Sequence, residues 1–110
     1  MIISYSDSFK RQLRRLNRKY RCIRADLQPL IGQLETGETP GDQTQGVDHT
    51  INKVRLKNSD AQHDKSGGYR VIYYLHTEEN VLLFTIYSKT EQSDIETAEL
   101  VDIIRQEKSN

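Results

Sequence analysis

Three short runs rich in β-branched and aromatic residues lie in the second half of the chain, and they constrain its fold more than any other feature. They cover residues 51–56, 69–75 and 81–87, and residues 77–80 between the last two suit a hairpin turn. Residues 1–4 have the character of a short additional strand. Because a hairpin joins antiparallel strands, the sequence predicts an antiparallel sheet of about four strands.

A helical pattern follows the first strand. Apolar residues recur every three or four positions from residue 9 to residue 20, and most of the remaining positions in this stretch are basic. Ser6 or Asp7 offers a side-chain oxygen to the free N–H groups at the start of this helix. We expect one buried stripe and a solvated basic surface.

A second apolar pattern covers residues 23–34 and stops near Gly37. Pro29 lies inside it and is expected to kink the helix or reset its start. The two helices are therefore predicted to form a hairpin. Residues 37–50, with three glycines, Pro40 and no apolar period, are predicted to be a surface loop.

A closing helix is expected after the last strand. Ser93 and Glu96 have the spacing of a capping box, and apolar residues between positions 100 and 104 supply a buried side. The predicted fold is α+β, a single domain over residues 1–110. Its antiparallel sheet packs against an N-terminal helical hairpin, with a C-terminal helix.

The formal net charge is zero, but the charges are segregated along the chain. Residues 1–24 hold eight basic side chains and one acidic one, whereas residues 25–52 hold none and five. Residues 53–70 are again basic, and the remainder is acidic. Local positive charge is what phosphate binding needs, so overall neutrality does not exclude an RNA partner.

The expected location is the cytoplasm. Cys22 is the sole cysteine and cannot form an internal disulfide, and the first residues lack the features of a signal peptide. No apolar run approaches the roughly 18 residues needed to span a bilayer, so no membrane association is expected. Cys22 itself is predicted to be a packed small side chain.

Cationic side chains are predicted to gather on one face of the sheet. Alternation along residues 53–57 places Lys53, Arg55 and Lys57 on the same face. The same parity groups Arg70 with Ile72 and Tyr74, and it groups Tyr87 with Thr85 and Leu83. If these strands are neighbours, the result is a basic patch with aromatic rims. The alternative is that these are ordinary solvent-facing cations.

Adjacent glycines precede the second of the three strands. Gly67 and Gly68 permit positive φ, which either lets a phosphate approach the backbone N–H groups or forms a turn or bulge. The spacing fits no nucleotide-binding phosphate loop, which disfavours nucleotide hydrolysis. Lys65 just before the glycines and Arg70 two residues after them favour a role in RNA binding.

Taken together, residues 53–57, residues 65–74 (Lys-Ser-Gly-Gly-Tyr-Arg-Val-Ile-Tyr-Tyr), residues 86–89 and the pair Ser93-Asp94 resemble the RelE/ParE superfamily of bacterial toxins. RelE- and HigB-like members are the most similar, and the order of predicted elements agrees over nearly the whole chain. The resemblance implies a type II toxin that enters the ribosomal A site and cleaves mRNA. It also implies a cognate antitoxin from an adjacent gene, with operator DNA contacted only through that antitoxin.

The resemblance also implies site residues. The family's arginine in its Gly-Tyr-Arg motif falls on Arg70, and its two strand cations fall on Lys53 and Arg55. The cation after its last strand matches Lys89 or the neighbouring Thr90. A closing tyrosine found in RelE has no counterpart, because Glu96 occupies that place.

Metal-free RNA cleavage requires deprotonation of a 2′-hydroxyl, stabilisation of the phosphorane and protonation of the 5′-oxygen. We assign Lys53 and Arg55 to activation and positioning, Arg70 to transition-state charge, and Lys65 and Lys89 to phosphates or the leaving group. Further RNA contacts are expected from Lys57, from a stacking ring on Tyr74 or Tyr87, and from Arg14 and Arg18. The basic face of the first helix fits simple solvation equally well.

No cofactor or metal is expected, because His49, His63 and His76 are well separated and lack a matching set of ligands. His63 is a further candidate for the general base. Two other functions stay open: a ParE-like inhibitor of DNA gyrase, and an inactive toxin homologue that binds the antitoxin as a co-repressor.

Overall fold

A computed structural model describes residues 2–45, 50–59, 68–75 and 79–89 of the 110-residue chain. The elements are β1 (Ile2–Tyr5), α1 (Asp7–Lys19), α2 (Ile23–Glu35), β2 (Asp42–Gln45), β3 (Thr50–Leu56), β4 (Tyr69–Leu75) and β5 (Asn80–Ser88). The predicted α+β class and the N-terminal helical pair are confirmed. The predicted closing helix from residue 93 onward lies outside the described residues.

Helix α1 begins at a side-chain cap. Ser6 is extended, and its Oγ accepts a hydrogen bond from the N–H of Phe9 at 3.0 Å. The same hydroxyl donates to the carbonyl of Phe84 in β5. Ser6, and not Asp7, is therefore the residue that caps the helix. Its hydroxyl also attaches the start of the helix to the sheet.

Helix α2 runs from Ile23 to Glu35 with Pro29 inside it. The expectation that Pro29 resets the start of the helix is therefore wrong. Proline removes one backbone donor, which leaves the carbonyl of Ala25 without its helical partner. Both Pro29 and Ala25 are exposed, so water can hydrate that carbonyl while the buried side of the helix keeps packing.

Cys22 is exposed, so the prediction of a packed cysteine is wrong. The residue occupies the cap position just before Ile23, the first buried residue of α2. The apolar stripe of the helix therefore begins one residue later.

The sheet has five strands in the order β1-β5-β4-β3-β2, which corrects the predicted four. The extra strand is β2, which pairs antiparallel with β3 inside the predicted loop. Its residues are all polar, so no apolar pattern indicates a strand there. Gly41, which immediately precedes β2, has a φ of +100° and lies against the carbonyl of Lys53 in β3.

The sheet is mixed and not purely antiparallel as predicted. Strands β2 to β5 form antiparallel pairs, but β1 runs parallel to β5. A parallel pair requires a crossover connection, and α1 and α2 follow β1 along the chain and pack on one face of the sheet. Strand β1 is thereby placed at one edge.

A β-bulge in β5 interrupts the simple alternation of its side chains between the two faces of the sheet. Ile72 pairs with Thr85, but the next residue, Tyr73, pairs with Leu83, so Phe84 is an extra residue. The predicted grouping of Leu83 with Thr85 is therefore wrong. Leu83 turns toward the helices, and Phe84 joins the opposite face.

Each face of the sheet carries its own apolar cluster. On the helical side, residues of α1 and α2 pack against one set of strand residues, namely Val54, Tyr69, Val71, Tyr73, Val81, Leu83 and Ile86. On the opposite side, a smaller cluster comprises Ile51, Ile72, Tyr74, Phe84 and Tyr87. All five residues of this second cluster are buried.

A buried polar contact attaches the α2–β2 connection to the helical side of the sheet. The Tyr73 hydroxyl donates to the carbonyl of Pro40, and Asn52 Nδ2 donates to that hydroxyl at 3.1 Å. Burial raises the pKa of Tyr73, and the hydrogen bond from Asn52 opposes this shift in part.

Among the described helices, neither α1 nor α2 combines the length and the apolar character needed to cross a membrane.

Candidate functional site

Two arginines and a tyrosine form a row across three strands. Arg55 in β3 pairs directly with Arg70 in β4, and Arg70 pairs with Tyr87 in β5. Residues directly opposite one another share a face, with Cβ atoms about 4.5–5.5 Å apart. The structure thus brings together three of the predicted residues on the side of the sheet away from the helices.

Lys53 lies in the next row of the same face. It pairs with Ile72, which in turn pairs with Thr85. Tyr74 shares this face but lies four residues along β4 from Arg70, roughly 13 Å away. The structure therefore groups Lys53 with the arginines and separates Tyr74 from them.

Two more cations lie at the end of the sheet where this row is found. Lys57 directly follows β3, and Lys89 directly follows β5. The Lys89 N–H donates to the carbonyl of Gly68 at 3.0 Å. We call the group Lys53, Arg55, Lys57, Arg70 and Lys89 the cationic strand end.

Contacts with α2 hold the segment after Lys57. Both the N–H and the Oγ of Ser59 donate to Oδ2 of Asp26, each at 3.0 Å. An acidic side chain near the start of α2 thus fixes the chain just beyond the cationic strand end.

The cations differ in their access to solvent. Arg55 and Lys57 are exposed, and Lys53 and Lys89 are half-buried. Arg70 is only 8% exposed, and its Nη1 donates to the carbonyl of Tyr69 at 3.3 Å. The site therefore has outer charges that reach water and one inner charge beneath them.

The predicted aromatic rim is not present as an exposed surface. Tyr74 is 3% exposed and Tyr87 is 2% exposed, because both rings belong to the buried cluster on this face. Neither ring is presented for stacking in this conformation.

Gly68 has a structural role at the start of β4. Its φ is +93°, and a Cβ placed on it would collide with the carbonyl oxygen of Leu56. Glycine is required for the close approach of these two segments, which agrees with the turn-or-bulge interpretation. Gly67, Lys65 and Thr90 lie outside the described residues, as do Glu96 and the three histidines.

The pairing of Arg55 with Arg70 is electrostatically unusual. Like charges directly opposite each other on a sheet are destabilising. A phosphate near both guanidinium groups would reverse the sign of that interaction, since arginine presents a forked set of donors to phosphate oxygens. The arrangement is therefore suited to binding an anion.

The predicted helical cations lie elsewhere. Arg14 and Arg18 belong to α1, which packs on the other face of the sheet. Arg14 lines a cleft of about 460 Å³ between α1 and α2, which we call the interhelical groove. Its cationic rim comprises Lys10, Arg14 and Arg24. Its apolar lining comprises Leu13 and Ile31, which are half-buried, and Phe9 and Leu27, which are buried.

Sequence reasoning missed this groove. Lys10 and Arg14 are four residues apart in the chain and Arg24 lies in the next helix, so their common location follows only from the packing of the helices. The sole available signal was the i, i+4 spacing of the first two cations.

No family model matches this sequence, and comparison with curated proteins gives no match either.

Proposed function

We propose that this protein is the toxin of a type II toxin–antitoxin module, an mRNA interferase that cleaves mRNA on the ribosome. The observation that carries the proposal is the register of Arg55 opposite Arg70, with Lys53 on the same face. The similarity of residues 53–57 and 65–74 to RelE- and HigB-like toxins supports the same assignment. The protein acts in the cytoplasm with no cofactor.

The proposed reaction is an internal transesterification. Lys53 accepts the proton of the 2′-hydroxyl, and the 2′-oxygen forms a bond to phosphorus. The bond from phosphorus to the 5′-oxygen breaks, and Lys89 supplies a proton to that oxygen. The products are a 2′,3′-cyclic phosphate and a 5′-hydroxyl end, so the atoms and charges balance without a metal.

The two arginines have different tasks in this scheme. Exposed Arg55 contacts and orients the non-bridging phosphate oxygens. Arg70 lies deeper, where reduced contact with water strengthens its field, and it stabilises the charge that develops on the phosphorane. Exposed Lys57 then contacts an adjacent phosphate of the mRNA.

The other predicted RNA contacts fit less directly. Tyr74 and Tyr87 would have to leave their cluster in order to stack on a base. Arg14 and Arg18 lie on the helical side of the sheet, so any RNA phosphates that they contact belong to the ribosome and not to the scissile codon. Lys65 is proposed to bind mRNA phosphates.

The proposed partners are the ribosomal A site with its mRNA, and a cognate antitoxin. An acidic antitoxin segment that covers the cationic strand end would block access to the scissile phosphate. Operator DNA is reached only through this antitoxin.

The burial of Arg70 and Tyr87 favours a second candidate. A ParE-like gyrase inhibitor, or an inactive homologue that binds an antitoxin as a co-repressor, needs no exposed catalytic cluster. In either case these two buried side chains stabilise the fold and take no part in a reaction.

Substitution of the two arginines tests the proposal. Arg55→Ala and Arg70→Ala should each reduce cleavage of translated mRNA by about 10²- to 10³-fold, because each removes a positioned charge donor. Arg11→Ala, a matched change at an exposed position of α1, should leave the rate unchanged. Cleavage sites are mapped by primer extension on ribosome-bound mRNA, and folding is checked by chemical denaturation.

Three results would reject the proposal. If Arg55→Ala cleaved mRNA at the full rate, the cationic strand end would not be the catalytic site. Accumulation of cleaved DNA would identify a gyrase inhibitor. Retained antitoxin binding without toxicity in the unaltered protein would identify a co-repressor. Arg55 is exposed, so its substitution separates a catalytic defect from unfolding even if Arg70→Ala destabilises the chain.

A further inference from the structure

Lys57 lies in a short segment just beyond the end of β3. The register of β3 with β4 ends at Leu56, which is paired with Tyr69. Residues 57–59 follow that last pair, so the cross-strand hydrogen bonds that fix the backbone of Arg55 do not extend to them. The direction of the Lys57 side chain therefore depends on contacts made outside the sheet.

Asp26 of α2 makes such a contact. Its Oδ2 accepts hydrogen bonds from the N–H and from the Oγ of Ser59, each at 3.0 Å. The two residues are 33 positions apart in the chain, so the contact joins separate parts of the fold. Hydrogen bonds to a charged acceptor are stronger than those between neutral groups, and two of them on one oxygen fix the position of Ser59.

The helix gives Asp26 a fixed position. Its N–H donates to the carbonyl of Cys22 at 2.9 Å, at the start of α2. Ile23 and Leu27, three residues before it and one residue after it, are buried in the apolar cluster on the helical side of the sheet. A carboxylate on a packed helix can therefore anchor a segment that the sheet does not hold.

The same segment has a second anchor at Asn58. This residue is 7% exposed, and its backbone nitrogen lies 3.9 Å from the position of a Cβ placed on Gly68. Lys57 is exposed, and it lies between the last paired residue of β3 and the buried Asn58. Removal of the Ser59 contact frees one end of this short segment, and rotation of its backbone redirects the Lys57 ammonium group.

We propose that Asp26 is a positioning residue for RNA binding, which holds Lys57 through Ser59 where the ammonium group meets a phosphate of the mRNA. The inference rests on the proposed function, because it takes single-stranded RNA as the ligand of the cationic strand end. Asp26 itself does not contact the RNA. Its effect is to keep one cation aligned with a phosphate next to the scissile one.

Charge and position predict opposite effects for Asp26. Its carboxylate is negative and by charge alone repels a phosphate, so charge alone predicts that its removal tightens RNA binding. If the carboxylate positions Lys57, its removal weakens binding, because a freed segment loses more conformational entropy when the lysine engages the phosphate. The direction of the change in affinity therefore distinguishes the two effects.

Binding of a 12-nucleotide 2′-O-methyl oligouridine, measured by fluorescence anisotropy, tests the proposal. This probe keeps the phosphates of RNA but has no 2′-hydroxyl, so it cannot be cleaved by the proposed reaction. We expect Lys57→Ala and Asp26→Ala each to weaken binding about fivefold, which corresponds to one phosphate contact. Ser59→Ala keeps the N–H donor and loses only the hydroxyl, so it should weaken binding about twofold.

Asp26→Asn is the matched variant. The amide oxygen of asparagine has two lone pairs and can accept both hydrogen bonds from Ser59, whereas the negative charge is gone. We expect Asp26→Asn to bind the probe at least as tightly as the unaltered protein does. Glu38→Ala, which removes an exposed carboxylate from the α2–β2 connection, controls for charge and should change the affinity less than twofold.

Two further measurements separate positioning from a general loss of stability. The double variant Asp26→Ala/Lys57→Ala should bind no more weakly than Lys57→Ala alone, because no ammonium group is left to position. On ribosome-bound mRNA, Asp26→Ala should raise KM about fivefold and leave kcat unchanged, since it affects binding and not the chemical step. Circular dichroism checks that each variant is folded.

Several results would overturn the inference. Unchanged or tighter binding by Asp26→Ala would mean that the contact does not position Lys57, and equal losses in Asp26→Ala and Asp26→Asn would mean that the hydrogen bonds to Ser59 are not the cause. Additive losses in the double variant would place the effect in the fold as a whole. Failure of the unaltered protein to bind the probe would also overturn it.

Failure of the proposed function is detected separately. If Arg55→Ala cleaves mRNA at the full rate, the catalytic assignment is wrong, whereas the comparison of Asp26 and Lys57 variants in probe binding is unaffected. If Arg55→Ala loses cleavage but Asp26→Ala binds the probe normally, only the role of Asp26 is wrong.

Discussion

The two sides of the sheet use positive charge in different ways. On the helical side, Lys10, Arg14 and Arg24 lie around the interhelical groove, and their positions come from the packing of two helices. On the opposite side, Arg55 and Arg70 face each other beside a closed cluster, and strand register fixes their positions. The positions of the first group of charges therefore depend on the contact of two helices, whereas a strand register holds the second group at a set spacing.

The largest expected contrast is in stability. Ile72→Ala removes a fully buried side chain from the closed cluster and should lower the free energy of unfolding by about 3 kcal/mol. Ile31→Ala makes the same change at the half-buried floor of the groove and should cost about 1 kcal/mol. Urea denaturation followed by circular dichroism measures both. Equal losses would mean that the groove is as tightly packed as the cluster.

Two glycines offer a sharper comparison of backbone constraint. Gly68→Ala forces a side chain at φ +93° into the Leu56 carbonyl and should destabilise the protein by about 2 kcal/mol. Gly32→Ala, inside α2 with open space around it, should stabilise the protein by about 0.5–1 kcal/mol. Opposite signs in the same denaturation assay are expected. A neutral Gly68→Ala would show that the start of β4 can move.

The smallest expected effect concerns the polar contact on the helical side. Tyr73→Phe should cost about 1 kcal/mol at neutral pH, because it removes the part-buried hydrogen bond to Pro40 and the buried one from Asn52. Since the folded state raises the pKa of Tyr73, its neutral form stabilises the fold below pH 10, and that stability is lost as pH rises through the raised value.

Unfolding measured between pH 8 and pH 12 should therefore show a steeper alkaline loss in the unaltered protein than in Tyr73→Phe. Tyr5→Phe is the control, because that side chain is 40% exposed. An identical alkaline slope for the unaltered protein and Tyr73→Phe would contradict the assigned cause.

Local patterns predicted part of this molecule well. The apolar periodicity predicted the positions of α1 and α2, and the runs of β-branched and aromatic residues predicted those of β3, β4 and β5. Strand β2 was not predictable, since its residues are all polar and it is defined by its pairing with β3. The bulge at Phe84 was equally hidden, because it arises from pairing across strands and not from the residues of β5 themselves.

Some features of the candidate site were likewise predictable from the sequence, and others were not. Parity along β3 predicted that Lys53 and Arg55 share a face, because alternation is a property of a single strand. That Arg70 joins them follows from the register of β3 with β4, which alternation alone does not give. The burial of Arg70 and Tyr87 could not be read from the sequence, since it depends on what packs around them. The interhelical groove depends on the contact of two helices and was missed for the same reason.

The parallel pairing of β1 with β5 has a consequence for how the protein is made. Ile2 pairs with Asn80, so the first strand cannot enter the sheet until nearly eighty later residues have been synthesised. During that interval α1 and α2 have no complete sheet to cover their apolar stripes. Those stripes are therefore exposed on the nascent chain before the charges on the far side of the sheet have been assembled.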